Sequence, residues 1–379
     1  MKGIYFAQGK MNHGKNSGPI NKINDQMQAF RKAGFEIDFI NFPPVESGFR
    51  KTFFGKGILA SLPFFAVFSY YKYKEGFDGR DFYYIRFEAA DFSFRRFLRK
   101  LRQNNPNAKI IIEFPDFPNT IWMRSIFHIG IYLKDLYARR FYKKYIDRFA
   151  VWNDDYKEIY GVKTVPYKNG IDVERIPIKK YLPHKDDSLK LIAIGSMFPF
   201  HGFDRLLCGL KNYYKASYTK DVFIDIVGSD IGGERKKYEK YVEQNNLTRF
   251  VTFYERKEGK ELAELFDKCD IAVSSLGMYR IGFKYASSLK SREYLARGIP
   301  IIAGCPIDVI HNKNFDYCIE FPNDNSVINI GKIVEWYDSL LSFKSPDEMA
   351  TEIRDFAMKT CDISVVMNNV IEYLKGDFN

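Results

Sequence analysis

Short apolar runs recur along the whole chain, each followed by a polar loop and then by a stretch whose apolar residues return every three or four positions. Runs of the first kind read as strands buried on both faces, and stretches of the second kind as amphipathic helices. Their alternation is the sequence form of a parallel sheet covered on both sides. In the first half strands are predicted at 2–7, 35–40, 82–86, 109–113, 148–152 and 163–167. In the second half they are predicted at 189–194, 222–227, 250–253, 270–274, 299–303 and 317–321, with helices over 203–215, 234–245, 259–267 and 289–297 among others. The segment 173–188, with Pro177, Pro183 and the polar run His184-Lys185-Asp186-Asp187-Ser188, reads as the connection between two doubly wound α/β units. In such sheets ligands lie outside the carboxyl ends of the strands, so the loops that follow the strands are expected to hold the chemistry.

Length and composition agree with two ordered domains. A chain of 379 residues exceeds what one core usually supports, and 46% hydrophobic with 17% aromatic residues excludes a disordered protein. The start, Met1-Lys2-Gly3-Ile4-Tyr5-Phe6-Ala7, runs into a strand pattern without a signal-peptide core, so a cytoplasmic protein is expected. Cys208, Cys269, Cys305, Cys318 and Cys361 are odd in number and lack CxxC spacing, which reads as reduced thiols rather than bridges or a zinc site. Charge is divided unevenly. Up to Lys185 there are 33 Lys+Arg against 18 Asp+Glu (+15), and after it 25 against 29 (−4). Such a field suits a polyanion, either a nucleic acid or an anionic leaflet.

Two loops combine groups suited to a phosphorylated ligand. The first runs Gly195-Ser196-Met197-Phe198-Pro199-Phe200-His201-Gly202-Phe203-Asp204-Arg205 between a predicted strand and a predicted helix. Its glycines let backbone N–H groups approach an anion, and the helix N-terminus favours negative charge. Spacing alone leaves an ordinary strand-to-helix turn open as well. The second, Ser288 to Ile302, is a helix ending at Gly298 that feeds a buried strand, with Lys290 and Glu293 on one face. The cation would hold phosphate and the carboxylate two ribose hydroxyls, or the two would form a solvated ion pair.

In these loops the second half resembles the donor domain of the family-4 (GT4) glycosyltransferases, a retaining group of GT-B architecture. The resemblance rests on Ile194-Gly195 with His201-Gly202, Ile226-Val227-Gly228, Val251-Thr252-Phe253, Asp270-Ile271-Ala272-Val273-Ser274, and Arg292-Glu293-Tyr294-Leu295-Ala296-Arg297-Gly298-Ile299-Pro300. In the first half Lys168-Asn169-Gly170-Ile171-Asp172 resembles the signature that closes the acceptor domain. His201-Gly202-Phe203-Asp204-Arg205, Ser275-Leu276-Gly277-Met278-Tyr279-Arg280 and Glu113-Phe114-Pro115-Asp116-Phe117-Pro118 resemble a branch found among bacterial capsule and exopolysaccharide enzymes.

The resemblance implies two facing Rossmann-like domains with a cleft between them. Residues 1–180 would bind the acceptor, with a C-terminal helix at 361–379 packing back on them, and 181–360 would bind a nucleotide-sugar, most simply a UDP-sugar. It implies transfer with retention to a lipid-linked or saccharide acceptor, without a metal or other cofactor. Donor-binding positions would be Gly195, Ser196, His201, Gly202, Arg205, Gly228, Arg280, Lys290 and Glu293. Family members commonly carry an Arg directly after the first loop's glycine and a Lys five residues on, where this chain has Ser196 and His201. Many also have a glutamate eight before Glu293, where Tyr285 stands. Arg205, Arg280 and Lys290 are the nearest substitutes for the missing phosphate clamp, because the reaction needs fixed positive potential at the leaving phosphate.

Glu113 ends an Ile-rich strand at the place where family members often hold a histidine facing the reacting sugar, and is the candidate catalytic residue. Its alternative is a carboxylate that fixes the following loop through backbone N–H groups. The loop carrying Lys15, Asn16 and Gly18 would reach toward donor or acceptor. His13, His128, His184 and His311 lack metal-ligand spacing, and no metal is expected.

For the membrane, Gly57 to Tyr71 holds no charged residue and is rich in aromatics, including Phe64, Phe65 and Phe68, yet is too short to span. From Trp122 to Tyr145, Arg139, Arg140, Lys143 and Lys144 fall on adjoining helical ridges, a pattern suited to an anionic leaflet. Each stretch also reads as a core helix, but together with the +15 charge of the same half they point to peripheral attachment to the inner face of a membrane. A nucleic-acid partner is not, since no helix-turn-helix, zinc or RNA-binding signature accompanies the charge. A nucleotide-sugar epimerase on the same fold, or a non-catalytic partner subunit, are the competing readings.

Overall fold

The computed structural model describes residues 1–8, 18–42, 73–87, 90–115, 129–152, 156–182, 187–216, 218–231 and 233–377. Met1–Asn169 and Ile363–Asn379 form one compact unit, and Gly170–Asp362 the other.

The first unit is built on a seven-stranded sheet of β1 (Lys2–Gln8), β2 (Glu36–Phe42), β3 (Phe82–Arg86), β4 (Lys109–Phe114), β5 (Arg148–Val151), β6 (Glu158–Ile159) and β7 (Val162–Pro166), in the order β2-β1-β3-β4-β5-β7-β6. Neighbours run parallel except β6 and β7. Because successive residues of a strand point to opposite faces, the apolar runs feed two cores. Ile4, Phe6, Tyr83, Ile85, Ile110 and Ile112 enter one cluster, while Tyr5, Ala7, Phe82, Tyr84 and Ile111 enter the other. The second cluster is completed by Ile363, Val366, Met367, Val370, Ile371 and Leu374, from the two short helices Ile363–Val366 and Asn368–Lys375.

The predicted strands recur with ends shifted by a residue or two. β6 was not foreseen, since two residues carry no periodicity. It exists because Tyr160 and Gly161, at φ 50° and 78°, make a two-residue turn that pairs Ile159 with Val162.

The second unit holds a six-stranded parallel sheet of β8 (Ser188–Ile194), β9 (Asp221–Val227), β10 (Val251–Tyr254), β11 (Ile271–Val273), β12 (Ile301–Ala303) and β13 (Cys318–Glu320), in the order β10-β9-β8-β11-β12-β13. Helices Phe203–Lys215, Arg235–Gln244, Gly259–Lys268 and Leu289–Ala296 form where the apolar spacing predicts them. The segment leading into β8 is tied to this unit by Arg354, which donates to the carbonyls of Val173 and Ile176 at 2.9 and 2.7 Å. Chain direction across the sheet reverses between β8 and β11, and in the first unit between β1 and β3. Those are the switch points beside which parallel sheets bind ligands.

Leu374 is 1% exposed on the returning C-terminal helix. Leu374→Ala is expected to lower stability by about 2–5 kcal/mol, measured by denaturant unfolding, because it leaves a cavity under the sheet.

Candidate donor site at the ends of β8 and β11

The site begins with three backbone segments in contact. A Cβ on Gly228 would lie 2.0 Å from the Gly195 carbonyl oxygen, so the turns after β8 and β9 meet backbone to backbone. A Cβ on Gly195 would lie 2.7 Å from His201 Nε2, so the missing side chain makes room for the imidazole. Gly202 sits at φ 66° with the Leu276 backbone 2.6 Å from where its Cβ would stand, a conformation and a space that only glycine fills without strain. The turn after β11 is bonded to this loop, Leu276 N–H donating to the His201 carbonyl at 2.9 Å and Gly277 N–H to the Phe200 carbonyl at 3.1 Å.

His201 is buried in consequence, its ring stacked on Phe203 at 5.5 Å. Nδ1 lies 3.2 Å from Lys290 Nζ and 3.4 Å from Ser275 Oγ. Burial, and then the neighbouring Lys290, push the imidazole down to about 2, so it is neutral. Lys290 reaches in from the helix Leu289–Ala296 and donates to the Ile194 carbonyl at 3.2 Å, where β8 ends. Part of its stem meets solvent, but the amine is deep among protein atoms, and burial brings it down to about 7. The helix that carries it starts at Ser288 without a side-chain cap; the Ser288 hydroxyl instead meets Ser291 Oγ at 2.8 Å. Its first backbone N–H groups therefore retain donor capacity for an anion.

Two of the three substitute cations are engaged with other partners in this structure. Arg280 holds both oxygens of Asp204, at 2.8 and 2.7 Å, and the Pro199 carbonyl at 2.8 Å. Arg205 is buried and donates to the carbonyls of Ser326, Pro322 and Leu276, fastening the first loop's helix to the turns beyond β11 and β13. Arg205 also lies 3.8 Å from Asp324 Oδ1, so that of the three only Lys290 has no carboxylate partner among the described residues. Glu293 is half-buried one turn further along the same helix, and its Oε1 accepts from Arg297 Nε and Nη2 at 3.1 and 2.8 Å. Ser196 is half-buried beside Gly195 at the start of the first loop. Ser275 and the Ile194 carbonyl were not foreseen in the sequence. A serine just beyond a strand at the switch point is the signal that pointed to the first; nothing in a sequence singles out one carbonyl.

Residues 174–328, which contain all of these groups, match the family model described as "Glycosyl transferases group 1". The match lies wholly within the second unit. Over the whole chain the architecture is similar to a glycosyltransferase from Rickettsia africae ESF-5, at 13% identity and TM-score 0.64, covering 99% of this chain and 98% of that one. It is also similar to Anabaena Alr3699/HepE in complex with UDP-glucose, at 12% identity and TM-score 0.57 with 99% of each chain covered. A third likeness is to the lipopolysaccharide outer core galactosyltransferase WaaB, at 11% identity and TM-score 0.59 with all of both chains covered. Among curated proteins none matches the chain. Two parallel-sheet units with these neighbours make the fold GT-B.

Outside the matched residues, Glu113 occupies a different setting from the one expected of a catalyst. It is 0% exposed. Oε1 accepts from Tyr167 Oη at 2.7 Å, Lys22 Nζ at 3.1 Å and Arg86 Nη1 at 3.2 Å, and Oε2 from Gln26 Nε2 at 3.0 Å. Burial alone would raise this carboxyl, but the charges of Lys22 and Arg86 and the hydrogen bonds from Tyr167 and Lys22 outweigh it and hold it near about 2. So weak a base, with both oxygens engaged, is an ion-pair hub rather than a proton acceptor for substrate. Gly18 is the first residue of the helix Gly18–Lys32, which brings Lys22 and Gln26 to the hub, while Lys15 and Asn16 lie outside the described residues.

Of the expected membrane contacts, Phe64, Phe65 and Phe68 also lie outside the described residues. Arg140, Lys143 and Lys144 are exposed. Arg139 is not free for a leaflet, since it pairs with Asp135 at 2.6 Å and covers the Tyr160 ring at 4.6 Å. Among the described residues no group of His, Cys, Asp and Glu is placed to hold a metal ion, and no helix is long and apolar enough to cross a membrane.

The hub makes a pH prediction. A carboxyl lower in the folded than in the unfolded chain stabilises the fold above its unfolded value, from 4.5 upward, and that stability is lost as pH falls toward about 2. Glu113→Gln should cost about 3–5 kcal/mol at pH 7, because Lys22 and Arg86 lose their shared counter-ion, and should flatten the acid limb of a stability-against-pH curve.

Proposed function

We propose that the chain is a metal-independent, retaining GT4-type glycosyltransferase of surface polysaccharide synthesis. The second unit binds a UDP-sugar, and the first binds a lipid-linked or saccharide acceptor at the inner face of a membrane. The observation that carries this reading is Lys290, an amine at the β8/β11 switch point whose partners among the described residues are neutral. A diphosphate supplies the anion that this position lacks.

As the glycosidic bond breaks, negative charge builds on the leaving phosphate and the sugar becomes oxocarbenium-like. Lys290 and the N–H groups at the start of its helix are fixed donors aimed at that charge. The acceptor then attacks the face the diphosphate leaves, and a phosphate oxygen takes its proton. This route needs no protein carboxylate as base, in keeping with the engaged state of Glu113. Glu293 lies one turn beyond Lys290, its Oε1 held by Arg297, and its carboxylate is assigned to the ribose hydroxyls. The UDP-glucose bound in the HepE structure supports a uridine donor. WaaB, a lipopolysaccharide enzyme, supports the surface polysaccharide setting.

Thermal unfolding against a panel of nucleotide-sugars, followed by turnover on a lipid-linked acceptor, tests the reading. A UDP-sugar is expected to raise Tm, and turnover to survive EDTA. Glu293→Ala should weaken donor binding by about 2–4 kcal/mol and leave the fold intact. No stabilisation by any donor, or loss of turnover on chelation with recovery on adding a divalent ion, would contradict it.

The membrane part rests on cations that the fold leaves exposed. The helix Phe92–Asn104 carries Arg95, Arg96, Arg99, Lys100 and Arg102 and no acidic residue, with Arg96, Arg99 and Lys100 exposed beside half-exposed Phe92. Near an anionic surface each cation contributes about 1 kcal/mol. Arg140, Lys143 and Lys144 changed together to Ser should therefore weaken binding to phosphatidylserine-containing vesicles by about 2–3 kcal/mol at low salt, and binding by the unaltered protein should fall as salt rises. Sedimentation with vesicles measures both.

A further inference from the structure

Among the described residues, the amine at the ends of β8 and β11 has no acid beside it. His201 faces Lys290 Nζ from the loop after β8, with Ser275 behind it on the turn after β11. Cys305 faces it from beyond β12, and the Phe203 ring lies 5.9 Å away. None of these is an anion at neutral pH: the hydroxyl does not titrate, and burial pushes the Cys305 thiol up to about 12. On its own helix, Glu293 is held by Arg297. The imidazole's Nε2 edge lies against Gly195, where a Cβ would be 2.7 Å away, and its Nδ1 edge meets the amine and the serine hydroxyl. Opposite the ammonium form of Lys290, which has no lone pair, Nδ1 of the neutral ring must accept, and the ring proton sits on Nε2.

We propose that the diphosphate of the donor enters this pocket together with one proton, taken up by Lys290, and that His201 is a neutral positioning residue that holds the amine to receive it. The inference rests on the donor reading given above. Free, the enclosed amine titrates near about 7 because of burial, so above that pH it is largely uncharged. A diphosphate beside it favours the ammonium and raises the value. Between the free and bound values binding takes up a proton, and affinity falls about tenfold for each unit that pH rises. In this chain the charge that meets the leaving phosphate is thus assembled with the substrate instead of being held in advance by an arginine. Below pH 7 it is already in place, and proton uptake disappears.

Isothermal calorimetry of UDP-glucose binding, run in phosphate and in Tris, reads proton exchange directly from the buffer dependence of the heat. UDP-glucose is the suitable probe because its phosphates stay ionised across the range. The full chain is expected to take up close to one proton per ligand at about pH 8 and close to none at about pH 6. Lys290→Met should abolish uptake and weaken binding tenfold or more, and Lys290→Arg, charged throughout, should bind without uptake. His201→Phe should lower uptake and raise the donor KM more than it lowers kcat. His201→Asn, whose side-chain oxygen can accept near the place of Nδ1, should restore both. Binding with no buffer dependence at pH 8, or uptake undiminished in Lys290→Met, would overturn the inference while leaving the donor reading intact. No binding of UDP-glucose at any pH would overturn both.

Discussion

Three stretches of backbone meet at the carboxyl ends of β8, β9 and β11 with no room for a side chain between them, and the geometry of the donor site follows from that approach. Gly195 and Gly228 bring the first two turns together, and Gly202 and Gly304 both pack against the Leu276 backbone, where a Cβ would come within 2.6 and 2.5 Å. Gly34 and Gly282 stand in open space, whereas Gly209 and Gly298 mark two further close approaches in the same unit, to the backbone of Ile328 and Ala350. A parallel sheet already directs its strand ends and helix starts to one edge. Removing the side chains there lets the loops close over a buried imidazole, and the imidazole in turn gives a long lysine from another helix a fixed end point.

Charge is then distributed with a clear division of labour. Arg205 and Arg280 are spent on carbonyls and on Asp204, so they hold the loops together. Lys290 is left with neutral acceptors. An arginine in its place would be charged at every pH and would keep its full charge in the free protein. A lysine gives way to burial, which brings this one down to about 7, so part of the cost of an unpaired ion is avoided. The first unit follows the opposite rule. Lys22, Arg86 and Glu113 are buried as a complete set with Tyr167 and Gln26, and no member of that set is left to meet a ligand on its own account.

The sheets were legible in the sequence because burial on both faces imposes apolar runs, and the helices because 3.6-residue spacing survives in Phe203–Lys215 and Gly259–Lys268. Lys290 and Glu293 were legible as a pair because a single helix carries them. The sequence reading failed where partners come from distant segments. Lys22 and Glu113 are 91 positions apart, and only the pairing of β1 with β3 and β3 with β4 brings their elements together. The pairing of Arg280 with Asp204 is equally hidden, so an arginine that looked free by spacing was already neutralised. The exchange of the loop's expected lysine for His201 reads as a loss along the chain, and the structure brings Lys290 within 3.2 Å of that histidine from the other side of the switch point.

The most direct test of this account is a crystal structure of the chain with UDP-glucose. The diphosphate is predicted to lie within hydrogen-bond distance of Lys290 Nζ and of the backbone N–H groups that open the helix Leu289–Ala296, with the Arg280–Asp204 pair unbroken. A diphosphate held instead by Arg280 after release from Asp204, with Lys290 still bonded only to the Ile194 carbonyl and His201, would contradict it.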